Sequence, residues 1–361
     1  MSLTHLALRG VRNLADTEIS PGCSVNLIWG ENGSGKTSLL EAIHVLGRAK
    51  SFRSSRLSPV IQNGSDSLVV VGRVLSSSHG TETTVRVNFG ASGVELFADR
   101  VPLNRVSDLV LRLPLILINT DSHRLLEDGP RLRRRFLDWG VFHVEHGFFG
   151  MWKRYYRALR QRNSAIRRQM APSQLAAWEA ELSQAADHID EFRRQYLALM
   201  APWFARYVSK LLDINAAEID YRRGWPGGRP LMAILAEEAH LDRQIGYTRQ
   251  GPHRADLVIK IANVPAQQVV SRGQQKLLIC ALHLAQAALM GEATRTRCVL
   301  LIDDLAAELD HEHRNRLLSL LVSLGQQVFV TATEHNLFDQ ALLVGQKLFH
   351  VERGKIADVT T

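Results

Sequence analysis

The stretch NLIWGENGSGKTSLLEAI, Asn26 to Ile43, decides how the rest of the chain is read. It begins as a short apolar run, turns at Gly30, Gly33 and Gly35, and continues with Leu39, Leu40, Ile43 and Leu46 at helical spacing; Gly47 is expected to end the helix. Within it, Gly30–Glu31–Asn32–Gly33–Ser34–Gly35–Lys36–Thr37 fits G-x-x-x-x-G-K-[ST]. In such a loop the glycines let backbone N–H groups turn inward onto phosphate oxygens. Lys36 then reaches the β- and γ-phosphates of ATP, and the Thr37 hydroxyl ligates Mg²⁺. Ser38 completes the expected nucleotide-binding set. The competing reading is a plain glycine turn at a helix start, but a strand before and a helix after are the context a phosphate cradle needs.

A cradle of this kind needs a carboxylate on a second strand. CVLLIDDLAAELD, Cys298 to Asp310, supplies an apolar run, Val299 to Ile302, ending in Asp303 and Asp304. Asp303 is expected to hold Mg²⁺ through water, and Asp304 to orient or deprotonate an attacking water. An acidic helix start would look similar, and the two readings are compatible. Upstream, SRGQQKLLICALHLAQAAL, Ser271 to Leu289, reads as a helix beginning near Gln274 with Ser271 as its cap. Ser271, Arg272, Gly273 and Gln274 bring a hydroxyl, free N–H groups and a helix N-terminus together, which makes either a capped helix or a second anion site. A second phosphate site makes sense if it serves a neighbouring chain's ATP.

The chain has 361 residues, 44 Lys plus Arg against 36 Asp plus Glu, a net charge of +8 and a pI near 9.7. That length suits two to three domains, or one domain with an insertion. The basic surplus favours polyanion partners. Cys23, Cys280 and Cys298 form no C-x-x-C pair, which points to a reducing compartment without a disulfide framework. No signal peptide and no apolar run of about 18 residues is evident, so a cytoplasmic protein is expected.

Residues 1–50 read as strand, strand, loop, helix, and 66–103 as short strands of an antiparallel sheet. From about 120 to 205 the chain reads as helical. Trp152, Tyr155, Tyr156, Leu159, Ile166 and Met170 share one face of a first segment. Leu175, Trp178, Leu182, Ala185, Ile189, Phe192, Tyr196 and Leu199 form a heptad seam in a second, with Pro172 in the link. This is a helical hairpin, either a projecting arm or two packed helices of a lobe. Strand signals return after about 245 with ADLVIKI, then CVLLID, QVFVTAT and a last strand QKLFHVERGKI. The expected architecture is therefore α/β: a P-loop core built from 1–118 and 245–361, interrupted by a helical lobe over 119–244.

The set GENGSGKTSLLEAI, RRRFLDWGVFHVE, GPHRADL, SRGQQKLL and LIDDLAAELD, in this order, resembles the ATP-binding-cassette (ABC) ATPases. Within them the chain is similar to the SMC-like branch and above all to the RecF family. The resemblance implies an ABC-type, SMC-like P-loop ATPase core with an inserted helical lobe. It makes Lys36 and Thr37 the Walker A pair and Asp303 the Walker B ligand. Asp304 stands where the wider superfamily has Glu, which implies slow turnover. Ser271 to Gln274 become the signature motif that completes a partner subunit's site, and Asp310 the D-loop residue. For the switch position, Thr333, Glu334 and His335 remain open. The segment expected to sense the γ-phosphate, LINTDSH, lacks Gln, and Asn119 is the nearest substitute.

About a quarter of all Lys and Arg falls between 131 and 168. Arg133, Arg134, Arg135, Lys153, Arg157 and Arg160 are the candidate DNA contacts, against a solvated face paired with Asp138, Glu145 and Asp190. The resemblance implies a slow, DNA-stimulated ATPase that dimerises head to tail on ATP and acts at single-strand gaps and junctions of single- and double-stranded DNA. It also implies RecR and RecO as partners, and help in loading the RecA recombinase. His253 and Arg254 in GPHRAD are expected near the nucleotide or a lobe junction. The alternatives are an ATPase subunit of another ABC-type complex, transporter-associated or otherwise not acting on DNA, and a module that uses ATP only as structural glue.

Overall fold

A computed structural model describes residues 1–76, 80–214, 216–304 and 309–360. The chain divides into two compact units, Met1–Ser122 with Ala287–Thr361, and His123–Gln286. In chain order the strands are β1 (Ser2–Arg9), β2 (Thr17–Ile19), β3 (Val25–Trp29), β4 (Leu68–Leu75), β5 (Glu82–Gly90), β6 (Gly93–Ala98), β7 (Val101–Pro102) and β8 (Leu115–Ile118). They continue with β9 (Ala217–Arg222), β10 (Asp256–Ile261), β11 (Val264–Pro265), β12 (Val299–Ile302), β13 (Gln327–Ala332), β14 (Lys347–Glu352) and β15 (Lys355–Asp358).

The first unit contains two six-stranded sheets. One, ordered β2-β1-β4-β5-β6-β7, is antiparallel throughout. The other, ordered β15-β14-β3-β13-β12-β8, is parallel from β14 to β8 and has β15 as an antiparallel edge. Its parallel strands are near-continuous apolar runs, as strands covered on both faces must be. The helix Lys36–Arg48 touches strands of both sheets, which explains why it is buried almost all round. Leu39, Leu40, Ile43 and Leu46 are fully buried, each stabilising the fold by about 1.5–3 kcal/mol. Gly47 does not end this helix. It runs to Arg48 and closes on Ala49 in the left-handed region, φ 50°. Gly47 is needed because a Cβ there would lie 2.4 Å from Leu115 Cδ1, where helix and β8 approach.

In the second unit the helices Phe148–Arg167 and Pro172–Leu212 pack antiparallel. Phe148 meets Phe192, Arg154 meets Glu181, and Ile166 meets Leu175. The longer helix also packs on the helix Pro130–Val144 and on β9, so the hairpin belongs to a packed lobe. Pro172 is its first residue rather than part of the link. The heptad seam drifts: Leu199 is 52% exposed, while Arg193, Tyr196, Met200 and Phe204 are buried. A straight helix rotates away from a 3.5-residue repeat, and here the 3.6-residue period wins.

Two strand readings are corrected. QKLFHVERGKI is not one strand but the hairpin β14–β15, turning at Arg353 (φ 47°) and Gly354 (φ 79°). ADLVIKI forms β10 but pairs with β9 and β11 in a small antiparallel sheet of the second unit. That unit accordingly runs to Gln286, past the expected return to the core at 245. The helix Arg272–Thr294 is long and apolar enough, by composition, to cross a membrane; most of its side chains from Leu277 to Met290 are buried within the protein. All three cysteines are free.

Candidate nucleotide-binding site

The phosphate loop leaves the C-terminal end of β3, where open parallel sheets present ligand sites. Gly30 takes φ 153° and a Cβ on it would lie 2.1 Å from Val351 O, so only glycine fits. Lys36 is buried. Its Nζ donates to Gly30 O at 2.7 Å and Glu31 O at 2.9 Å, bridging the loop's own carbonyls. Burial lowers its pKa, opposed by Asp304 and Asp303. The β14–β15 turn braces the loop from outside, since Gly354 N donates to Ser34 O at 2.8 Å.

Strand order explains how Asp303 reaches the loop. β13 lies between β3 and β12, and its Thr331 fills the gap. Thr331 Oγ1 donates to Asp303 Oδ1 at 3.0 Å, and Thr37 Oγ1 donates to the same oxygen at 3.1 Å. Thr331 Oγ1 also accepts from Asp304 N at 2.8 Å, fixing Asp304 at φ 55°. Burial raises the Asp303 pKa, while the Thr331 and Thr37 hydroxyls pull the other way. Asp304 Oδ1 and Ser34 Oγ are buried without a hydrogen-bond partner among the described residues. These hard oxygen donors, next to a lysine, suit a phosphate-bound divalent cation such as Mg²⁺.

A cavity of about 490 Å³ opens over the loop, lined by Asn32, Gly33, Gly35, Lys36, Thr37 and Ser38 among others. Asp304 and Thr331 form part of its wall. So do Arg12, Asn13 and Arg53, which sequence reading missed. Asn13 accepts from Ser38 Oγ at 2.8 Å and donates to Gly33 O at 3.0 Å. Fully buried Glu41 holds Arg12 through two hydrogen bonds of 2.8 and 2.9 Å and lies 3.9 Å from Arg53. A charged residue on the buried face of TSLLEAI was the available signal. Asp303→Asn should keep the fold, because the carboxamide can still accept from both threonines. Hydrolysis should fall at least about 100-fold, a range reached when charge stabilisation is removed from a transition state. Unchanged phosphate release by purified D303N would move the metal ligand elsewhere.

The other sequence candidates fall outside this cavity. Among the described residues, none of Thr333, Glu334, His335 and Asn119 lines it. His335 instead lies against Trp29, with ring centroids 5.0 Å apart, and Asn119 Oδ1 accepts from Ser122 Oγ at 3.0 Å. Leu305 to Glu308 of the ELD segment lie outside the described residues. Asp310 caps the helix His311–Ser323, accepting from His313 N at 2.9 Å. In the second unit, Ser271 and Gln274 form a capping box: Ser271 N donates to Gln274 Oε1 at 2.9 Å, and Gln274 N to Ser271 Oγ at 3.3 Å. The helix starts at Arg272, with Arg272 and Gly273 exposed in its first turn.

The arginine candidates divide. Arg133 is tied to Asp256 at 2.7 Å and to Asp128 O at 2.6 Å, and Arg134 donates to Ala255 O at 2.6 Å, so both brace the lobe from within. Arg135, Arg157 and Arg160 are exposed, as is Lys153, whose ammonium lies 4.1 Å from the Phe149 ring centre. The carboxylates expected to neutralise that face are committed elsewhere in part: Asp138 pairs with buried Arg193, and Asp190 with Arg194 and Arg223.

A phosphate loop at the end of β3, a buried carboxylate at the tip of β12 and an inserted helical unit define an ABC-type P-loop ATPase of the SMC kind. The family model described as RecF/RecN/SMC N terminal domain matches residues 2–357. The DNA replication and repair protein RecF of Pseudomonas aeruginosa is 44% identical over 100% of this chain and 99% of its own, and that of Stutzerimonas stutzeri 46% identical over 99% and 98%. The chain belongs to the RecF family. A solved structure described as the recombination mediator protein RecF with ATP in the RecFOR pathway superposes with a TM-score of 0.87 over 99% of this chain and 97% of that one, at 24% identity, which shows a shared fold.

Proposed function

We propose that this chain is an ATP-dependent DNA-binding repair protein, cytoplasmic, acting at single-strand gaps and single-strand–duplex junctions. The observation that carries the reading is the Thr37–Asp303–Thr331 cluster beside buried Lys36, a site ready for a nucleotide phosphate tail. Lys36 would trade its contacts with Gly30 O and Glu31 O for phosphate oxygens. Thr37 and Asp303 would hold Mg²⁺, which supplies charge neutralisation on the phosphates. Asp304, kept beside the cavity by Thr331, would orient the attacking water. As a shorter carboxylate than Glu it would do so slowly, which suits a switch that must persist on DNA.

One chain holds a cradle but also a second exposed helix start at Ser271. A head-to-tail homodimer would use both, each Ser271–Gln274 turn facing the γ-phosphate in its partner's cradle, with Asp310 at the seam. ATP would then favour the closed pair, and hydrolysis its opening, so DNA affinity would follow nucleotide state. RecR and RecO are the expected protein partners, with recombinase loading as the outcome; the RecFOR pathway to which the similar solved structure belongs supports this reading. Ser271→Arg should leave ATP binding intact and block the ATP-dependent dimer, read by light scattering. A dimer that survives in S271R would remove the composite site. The reading as a whole is tested with a labelled gapped duplex, with and without ATP. Tighter binding with ATP supports it, and no binding at low salt in either state overturns it.

A further inference from the structure

GPHRADL does not line the nucleotide cavity, yet the loop it belongs to is held by many buried hydrogen bonds. We propose that the loop Tyr247–Arg254 is a single-strand DNA contact, in which Tyr247 stacks on an unpaired base and Arg254 neutralises a neighbouring phosphate. The proposal rests on the DNA-binding reading above and names the surface that carries it.

The anchoring is unusual for a surface loop. The His253 ring uses both nitrogens: Nδ1 accepts from the Tyr155 hydroxyl at 2.6 Å, and Nε2 donates to Thr248 O at 2.9 Å. Burial pushes the His253 pKa down to about 4, so the ring stays neutral in this arrangement. Thr248, 1% exposed, donates through N and Oγ1 to Asn163 Oδ1 at 2.8 and 2.7 Å, and its Oγ1 accepts from Arg162 at 2.7 Å. Arg249 N donates to buried Asp242 at 3.0 Å, Gly251 N to Gly224 O at 3.0 Å, and buried Arg193 to Pro252 O at 2.9 Å. Two buried arginines and a buried aspartate are a costly way to fill a lobe, since apolar side chains would pack there as well or better. What they add is a rigid outer face.

That face carries an aromatic ring and unpaired cations. Tyr247 is 42% exposed, and the exposed Arg254 guanidinium lies 5.2 Å from its ring centre. Arg160 and Arg167, both exposed, share a helix face with Asn163, the residue that holds Thr248. Arg254, Arg160 and Arg167 make no ion pair among the described residues, and the nearby Glu238 is occupied by Arg249 and Gln250. A preorganised aromatic flanked by arginines fits a single strand, whose bases offer free faces and whose backbone offers a phosphate at every step. A paired base has no free face for Tyr247.

The test uses the full chain with ATP and three labelled probes: a gapped duplex, a single-stranded oligonucleotide and a fully paired duplex. Tyr247→Ala should weaken single-strand binding about tenfold, the scale of one lost base stack, while Tyr247→Phe stays near the native value. Arg254→Glu should lower the slope of log affinity against log salt by about one. Unchanged hydrogen-exchange protection of the second unit, alongside unchanged ATP binding by the first, serves as the folding control for all three variants. If the native protein binds the single strand and Y247A and R254E bind it equally well, the loop assignment is wrong and the DNA reading stands. Equal loss by Y247A on the paired duplex would also sink the stacking role. If the native protein binds none of the probes, the DNA reading itself fails.

Discussion

Replacing Lys36 by Met is expected to abolish ATP binding without unfolding the protein. Lys36 makes two hydrogen bonds to the carbonyls of Gly30 and Glu31, at 2.7 and 2.9 Å, from a buried position. Its charge is disfavoured there by desolvation, which is why its pKa is lowered. Met occupies much of the same volume and removes that desolvation cost, so the two lost bonds are partly offset and the melting temperature should move by only a few degrees. The phosphate tail has no such compensation. A charge-assisted hydrogen bond contributes about 1.5–3 kcal/mol, and loss of the cation also leaves the phosphate charge uncompensated, so affinity should fall by roughly 100-fold or more. Titration calorimetry with ATP, alongside a thermal melt, separates the two effects. Tight binding by a folded K36M would show that the cavity over the loop is not a phosphate cradle.

Arg162→Ala should be the most destabilising change in the second unit. Arg162 is 1% exposed and holds Asp242, 2% exposed on its side chain, at 2.6 Å, with Glu179 at 3.0 Å. Removing the guanidinium leaves the Asp242 carboxylate buried without its cation, which costs about 3–5 kcal/mol. A protein of two compact units need not unfold in one step, so a single melting temperature can hide the loss. Hydrogen exchange is the better measurement: amides in Tyr247–Arg254 should lose protection in R162A, while those in Lys36–Arg48 keep it. A double variant, Arg162→Met with Asp242→Asn, should recover much of the loss, because neither charge is then left alone. If R162A protects that loop as well as the native chain does, the buried network is not what anchors it.

The cradle was readable because its chemistry is local. Seven intervals of spacing, three glycines and a following apolar helix suffice to name Lys36 and Thr37. Asp303 was readable for the same reason, at the end of an unbroken apolar run. Thr331 was not, although it touches both Asp303 and Asp304. Nothing about a threonine in QVFVTAT marks it until strand order puts β13 between β3 and β12. Arg12, Asn13 and Arg53 escaped similarly, since each reaches the cavity from a loop outside the motif. β9 was missed because AEIDYR alternates charges with modest apolar residues and sits at a sheet edge. Without β9 as a partner, β10 had no visible alternative to the core sheet, and the lobe boundary moved with it. Arg133 and Arg134 illustrate a different limit. Composition counts charges, but only packing shows which of them face inward to Asp256 and Ala255 O.

The order of β15-β14-β3-β13-β12-β8 also bears on how the protein is made. β3 lies within the first 30 residues to be synthesised, yet its two neighbours, β13 and β14, begin at Gln327 and Lys347. β8 likewise waits for β12, at Val299. Until synthesis is nearly finished, both early strands have unpaired edges, and the glycine loop has no neighbouring Asp303 or Gly354 to hold its shape. Such distant pairings make folding slow and leave nascent strands open to misassociation. Chains that stop early should therefore accumulate as aggregates or chaperone clients rather than as nucleotide-binding fragments, and a cell translating this message has no partial ATPase to contend with before the last strands arrive.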